Sequence, residues 1–456
     1  MDLPLTTRRA GVLLHVASLP GAQAQGTLGA DARRFVDLLS AAGFGIWQML
    51  PIGPGKSPYH SRSSHAGDPR FLDPDVDLAT GTAHEARYDA FCAAERDWLE
   101  DYALFEAIGE AQGGKPWCNW PEPLRDRRPA ALKRARRALD PAIEQTRRAQ
   151  FRFETQWRAL RTYARERGVL LFGDVPVFAA LNSADVWVHR EYFRLLPDGR
   201  PAVVAGVPPD YFSAEGQRWG NPLYDWTRLE DDGFAWWVDR VAAQLARFDL
   251  LRIDHFRGLQ ACWEIPAESP TARQGRWVEV PGRALFEAIH AHCGHGRLVA
   301  EDLGTITPEV AALRDELGLP GMRVLQFAFD SGPDNPHLPR NHVRDAVVYT
   351  GTHDNDTTVG WWNGLDENAR RRVRAWLGRD EIRMPDDLIE VAHASVAQLS
   401  IVPMQDLLRL GSAARLNTPG TDEGNWTWRF HWDEVPDELA GQQRALVESC
   451  ERIKAG

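Results

Sequence analysis

Nowhere does this 456-residue chain carry an apolar run near the ~18 residues that span a bilayer, so no helical membrane segment is expected and the protein reads as soluble. The one tempting stretch, TTRRAGVLLHVASLP, superficially imitates a secretory leader, with Arg8 and Arg9 ahead of apolar residues. It is too short, His15 breaks it, and it reads better as a first buried strand. Cysteine is scarce: Cys92, Cys118, Cys262, Cys293 and Cys450 are far apart, odd in number and never in a CxxC pair. That excludes a zinc knuckle and a disulfide framework, and leaves the free thiols of a cytoplasmic protein. Positive charge is in deficit, with 53 Lys and Arg against 64 Asp and Glu, a net −11. Without a basic footprint neither nucleic acid nor an anionic membrane is expected as a partner, and a neutral or cationic ligand fits better. The basic run from Arg125 to Arg137 reads as a solvated helix face. GxSxG is missing, and no His, Asp or Glu set has metal-ligand spacing, so neither an acyl enzyme nor a metal or other cofactor is expected.

What is present is a series of short apolar runs bounded by turn residues. They are GVLLHV from Gly11, GIWQML from Gly45, VLLFGDVPV from Val169, LLRIDHF from Leu250, LVAEDL from Leu298, MRVLQF from Met322, VVYTGTHD from Val347 and SIVPMQD from Ser400. Helical patterns such as ADARRFVDLLSAAG, FAWWVDRVAAQLARF and PGRALFEAIHAHCG lie between them. Eight runs in this alternation predict an α/β fold, a (β/α)8 TIM barrel with inserted subdomains. With 43% hydrophobic residues the chain can fill one large core, so residues 1–456 read as a single catalytic barrel. Uneven spacing locates the insertions, approximately 57–150 after the second strand and 178–235 after the third. The second insertion carries VAGVPPDYFSAEGQRWGNPLYDW, whose Gly, Pro and aromatic content predicts an irregular loop at the rim rather than a regular element.

Three runs lead into an acid: LLRIDHFRG into Asp254, LVAEDLG into Glu301 and YTGTHDND into Asp354. Parallel barrels keep their active sites at the C-terminal ends of the strands, so three acid-tipped strands predict converging carboxylates. Retaining cleavage of a glycosidic bond needs a carboxylate nucleophile and a carboxylic acid about 5–5.5 Å apart. Arg252, two residues before Asp254 and on the same strand face, would keep that carboxylate ionised, which suits a nucleophile. Glu301, desolvated beside Asp302, would hold its proton into the working range of a general acid. Asp354 is left to stabilise a cationic transition state or to grip sugar hydroxyls. Each acid read singly has a structural alternative, as a buried ion pair, a helix cap or a turn. Their occurrence together favours catalysis. His353, beside Asp354, reads as a substrate contact, and His255, on the strand face opposite Asp254, as structural. Of eighteen tryptophans, Trp236 and Trp237 follow a helical pattern and read as core. Trp219, Tyr211 and Phe212 are the candidates for stacking on a chain of sugars.

Ten segments in order, SPYHSRSSHAGDP, GDVPVF, SADVW, VAGVPPDYFSAEGQRWGNPLYDW, RIDHFRG, AEDLGTITPEV, PGMRVLQFAFD, YTGTHDNDTT, PMQDLL and ARLNTPGTDEGNWTWR, resemble the 4-α-glucanotransferases, the amylomaltase or disproportionating-enzyme family of the α-amylase superfamily. The resemblance runs from Gly11 to about Arg429. It implies a retaining double displacement on α-1,4-glucans and maltooligosaccharides, in starch and glycogen metabolism, with Asp254 as nucleophile, Glu301 as acid then base and Asp354 as stabiliser. By position in the motifs it also implies that Ser57, Tyr59, Asp174, Gln217, Trp219, Asn221, Arg252, Asp330, His353 and Asn425 bind substrate. The implied acceptor is a sugar 4-hydroxyl, so water must be kept from the intermediate. The chain departs from the family at His60, where Gln is usual, at Asp68, where Asn is common, and in FAALNSADVW, and it is somewhat shorter than typical members. The residues themselves do not separate water from sugar as acceptor. A retaining α-glucan hydrolase therefore stands beside the transferase, and a non-catalytic glucan-binding protein is the reading from another class. None of these features determines the oligomeric state.

Overall fold

The computed structural model describes residues 4–76, 80–209, 214–421 and 423–453. Twelve strands form among them: β1 (Arg9–Leu13), β2 (Ile46–Gln48), β3 (Leu170–Val175), β4 (Val203–Val207), β5 (Gln217–Pro222), β6 (Leu250–Ile253), β7 (Ala261–Pro266), β8 (Arg276–Glu279), β9 (Leu298–Ala300), β10 (Gly321–Val324), β11 (Ala346–Tyr349) and β12 (Leu399–Pro403). The eight predicted runs supply one sheet, in the order β10-β11-β12-β1-β2-β3-β6-β9, with every pair parallel. Its two ends meet. Ala300 N–H donates to the Pro320 carbonyl (2.9 Å), and Met322 N–H donates to the Asp302 carboxylate (2.6 Å), so the sheet curls into a barrel.

Short apolar runs become these strands because both of their faces are buried, one by the barrel interior and one by helices. Leu13, Ile46, Phe172, Leu250, Val299, Met322, Val347 and Leu399, one from each strand, fill the interior, and the Tyr349 hydroxyl crosses it to Gln48 (3.0 Å). Helices Ala30–Ala41, Asp140–Glu166, Ala235–Arg247 and Gly282–Cys293 pack outside, burying Phe35, Trp157, Trp237 and Phe286. Trp236 and Trp237 are core, as their helical spacing predicts. The basic run is less solvated than expected, since Arg127 and Arg136 pair with Asp101 of the helix Arg96–Ala111. Among the described residues no helix is long and apolar enough to cross a membrane.

One expectation fails. The Gly/Pro-rich insertion is not an irregular loop throughout, because β4 and β5 pair antiparallel and join β7 and β8 in a second sheet of order β5-β4-β7-β8. Its glycines mark close backbone approach as well as turns. A Cβ on Gly206 would lie 2.1 Å from the Gln217 carbonyl oxygen, so this position admits the partner strand only as glycine.

Candidate active site

Strand register brings two of the acids together. Ile253 pairs with Ala300, so Asp254 and Glu301 each stand one residue beyond neighbouring strands β6 and β9. The ladder continues past both, with Asp254 N–H on the Val175 carbonyl and Glu301 N–H on the Ile253 carbonyl (3.0 Å each). Adjacent strands lie about 4.8 Å apart, the same scale as the carboxyl separation of a retaining glycosidase. After Asp254 the backbone enters the left-handed region at His255 (φ 48°), a conformation a non-glycine residue adopts at a cost. That turn aims His255 N–H at the Glu301 carboxyl (2.7 Å), and Leu303 N–H reaches its other oxygen (3.1 Å). The imidazole of His255 packs edge-on against Trp219 of β5 (4.8 Å), and burial pulls its pKa down to about 4.

Beside the pair lies a connected set of polar groups from two barrel strands and two loops. Arg252 donates Nε and Nη2 to Asp174 of β3 (3.0 and 2.7 Å), and Nη2 also reaches Asp254 (2.8 Å) and the Tyr59 hydroxyl (2.9 Å). Tyr59 donates its one proton to Asp174 (2.7 Å). Its oxygen is then left to accept, which assigns Nε2–H as the donor of the 2.9 Å bond from His353. The His353 ring stacks on Tyr59, and burial holds it neutral against the nearby Asp354, with its pKa lowered.

Burial dominates the electrostatics of the two acids. It pushes Asp254 up to about 7, against the pull of Arg252 and with help from Asp174 and Asp354. Burial also drives Glu301 well above the carboxylate range, again against Arg252, with Asp254 and Asp302 adding to it. Arg252 thus acts on Asp254 in the expected direction and is outweighed. Asp254 has a guanidinium hydrogen bond and keeps 28% of its side chain open to solvent. Among the described residues Glu301 accepts from two backbone N–H groups. Of the two, Asp254 is the better placed to hold the negative charge and Glu301 the proton.

Asp354 is more open, at 49% side-chain exposure, and a C-terminal segment holds it. Asn417 Nδ2 donates to its carboxylate (2.5 Å), and Arg415 donates to its carbonyl (2.7 Å). Trp426, at φ 66°, places its ring 6.1 Å from both Tyr59 and His353. Asn417 and Trp426 escaped the reading of the sequence; the aromatic pair in NWTWR was the available signal. The other candidates are more spread out. Gln217 bonds the Trp219 indole (3.1 Å), whereas Asn221 is buried with its amide on the Ala179 carbonyl (3.0 Å). Ser57 lies 3.4 Å from His60, one of the residues that depart from the family pattern. Asp330 is exposed beyond β10 beside Asn335 (3.4 Å), and Asn425 ties its own loop through Thr418 and Thr421. Tyr211 and Phe212 lie outside the described residues. Among those described, no His, Cys, Asp and Glu group could hold a metal ion.

The chain as a whole is similar to known proteins. A family model described as 4-alpha-glucanotransferase matches residues 14–86 and 77–435. A 4-alpha-glucanotransferase of Thermus thermophilus is 45% identical over 99% of this chain and 100% of that protein. The chloroplastic/amyloplastic 4-alpha-glucanotransferase of Arabidopsis thaliana is 41% identical over 97% of this chain and 85% of that one. Among solved structures, the amylomaltase of Streptococcus agalactiae in complex with acarbose superposes with a TM-score of 0.94 at 31% identity, over 98% of this chain and 100% of that chain.

Proposed function

This chain belongs to the 4-alpha-glucanotransferase family, and from that premise we propose the chemistry of its site. Asp254 attacks the anomeric carbon of an α-1,4-glucan while Glu301 gives its proton to the departing glycosidic oxygen, leaving a glucosyl ester on Asp254. Glu301, now a carboxylate, takes the proton of an acceptor's 4-hydroxyl as that oxygen displaces the ester and restores both acids. Asp354 faces the positive charge that develops on the sugar in each step. The observation that carries the division of labour is the Arg252 guanidinium on Asp254, whereas among the described residues Glu301 accepts from backbone N–H groups.

Tyr59, Asp174 and His353 share that network and are proposed to bind the reacting sugar, with Ser57, Gln217, Trp219, Asn221, Asp330 and Asn425 in more distant subsites. Maltooligosaccharides and α-1,4-glucans are the proposed donors and acceptors. Residues 57–150 and 178–235 are the proposed insertions into the barrel. Five free thiols suit a cytoplasmic setting. Incubation with maltotriose tests the transfer: glucose and a ladder of longer maltooligosaccharides should form at constant total reducing ends. A steady rise in reducing ends would replace transfer by hydrolysis, and no products at all would leave glucan binding alone.

A further inference from the structure

The segment that carries His353 and Asp354 leaves the barrel at Thr350, just past β11, and re-enters regular structure at Thr358, the first residue of the helix Thr358–Gly364. Its internal bonds are local: Asn355 accepts from the N–H and hydroxyl of Thr352 (2.9 Å each), and Thr357 caps the helix through Gly360 N–H (3.0 Å). Such bonds shape a turn without tying it to the barrel. Outside contacts hold it at His353 and Asp354, as described above, and at Asp356, whose carbonyl accepts from Gln326 Nε2 (2.9 Å) and whose carboxylate accepts from the Ser412 hydroxyl (2.7 Å), while both of its ends are tied by Asp406, in the single helical turn Met404–Leu407 that follows β12. One Asp406 oxygen accepts from both threonine hydroxyls, Thr350 (2.6 Å) and Thr358 (2.7 Å), and the other accepts Thr358 N–H (2.8 Å). Thr350 and Thr358 are fully buried, and Asp406 is 1% exposed.

None of these three donors is charged, so among the described residues the carboxylate is buried without a counter-ion in its hydrogen-bond shell, and burial raises its pKa. A neutral side chain would cost less to bury here. What only the acid supplies is acceptor capacity on both branches, enough for two hydroxyls and an N–H at once. An asparagine would turn an NH2 group toward one side of that arrangement.

We propose that Asp406 is a positioning residue that staples Thr350 to Thr358 and thereby fixes the loop presenting Asp354 to the sugar. The proposal rests on the role assigned to Asp354 above. It is tested in the full chain by maltotriose disproportionation with Asp406→Asn, Thr350→Val, Thr350→Ser and Asp354→Asn, with a melting curve for each. Asp406→Asn and Thr350→Val should lower kcat about 10- to 100-fold with KM within about twofold, while melting temperatures move by no more than about 3 °C. Thr350→Ser, which keeps the hydroxyl, should stay within about threefold of the parent rate. Adding Asp406→Asn to Asp354→Asn should cost nothing further, because residues acting through one another are not additive. If Asp406→Asn does not fold, the Thr350 pair decides alone. Unchanged kcat in Thr350→Val, an effect on KM only, equal losses in Val and Ser, or full additivity with Asp354→Asn would each overturn the staple. Full turnover by Asp354→Asn would instead overturn the role of Asp354 itself.

Discussion

Asp254 and Glu301 are both carboxyls whose protonated form the folded protein favours, and this has a thermodynamic sign. A carboxyl with a raised folded pKa binds more protons folded than unfolded. Its stabilisation is complete below the ordinary carboxylate range and is lost as pH rises through the folded value, about 7 for Asp254. Glu301→Gln removes one charge of the coupled pair. It should melt about 1–3 °C above the parent near pH 8 and converge on it near pH 4, as differential scanning would record. The same variant should lose disproportionation by about 10³-fold or more and with it the alkaline limb of the kcat/KM profile, since that limb reports the acid's proton. Greater stability with lost activity is the expected trade where a site is held in a costly state.

At the scale of elements, neighbouring acids do different work. Asp302 follows Glu301 directly, yet its carboxylate accepts Met322 N–H (2.6 Å) and pairs with Arg314 and Arg323, closing the seam between β9 and β10. Asp302→Ala would take the carboxylate from buried Arg323 and the acceptor from Met322 N–H, while Arg314 keeps Asp315, a loss of about 3–5 kcal/mol in urea unfolding. Asp302→Asn keeps an acceptor for Met322 and should lose less, with kcat little changed at temperatures where it is folded. In sequence the two acids look alike after an apolar run. Which one faces the barrel mouth and which the seam depends on strand tilt and closure, and neither is a local property. The hairpin of β4 and β5 was illegible for a similar reason: its Gly and Pro residues signal turns locally, and only the β7 partner strand supplies the ladder that makes it a sheet.

At the scale of the whole molecule, a net charge of −11 combines with a site where a buried arginine faces both Asp174 and Asp254 and whose proposed ligand is neutral. KM for maltotriose should therefore vary by less than about twofold between roughly 0.05 and 0.5 M NaCl, because no long-range attraction is there to be screened. A steep salt dependence would show that charge guides the ligand. The sequence by itself determined the eight strands, the helices between them and the acids beyond three of the strands, because burial on both faces imposes continuous apolar runs and strand ends follow directly from them. Tertiary structure alone decided that Asp254 and Glu301 are register partners, and that Tyr59 and His353 share one proton chain across 294 residues. It also decided that Asn417 reaches Asp354 and that burial outweighs Arg252 at Asp254. Those are outcomes of barrel closure and of the field inside it, and no window of sequence contains both partners.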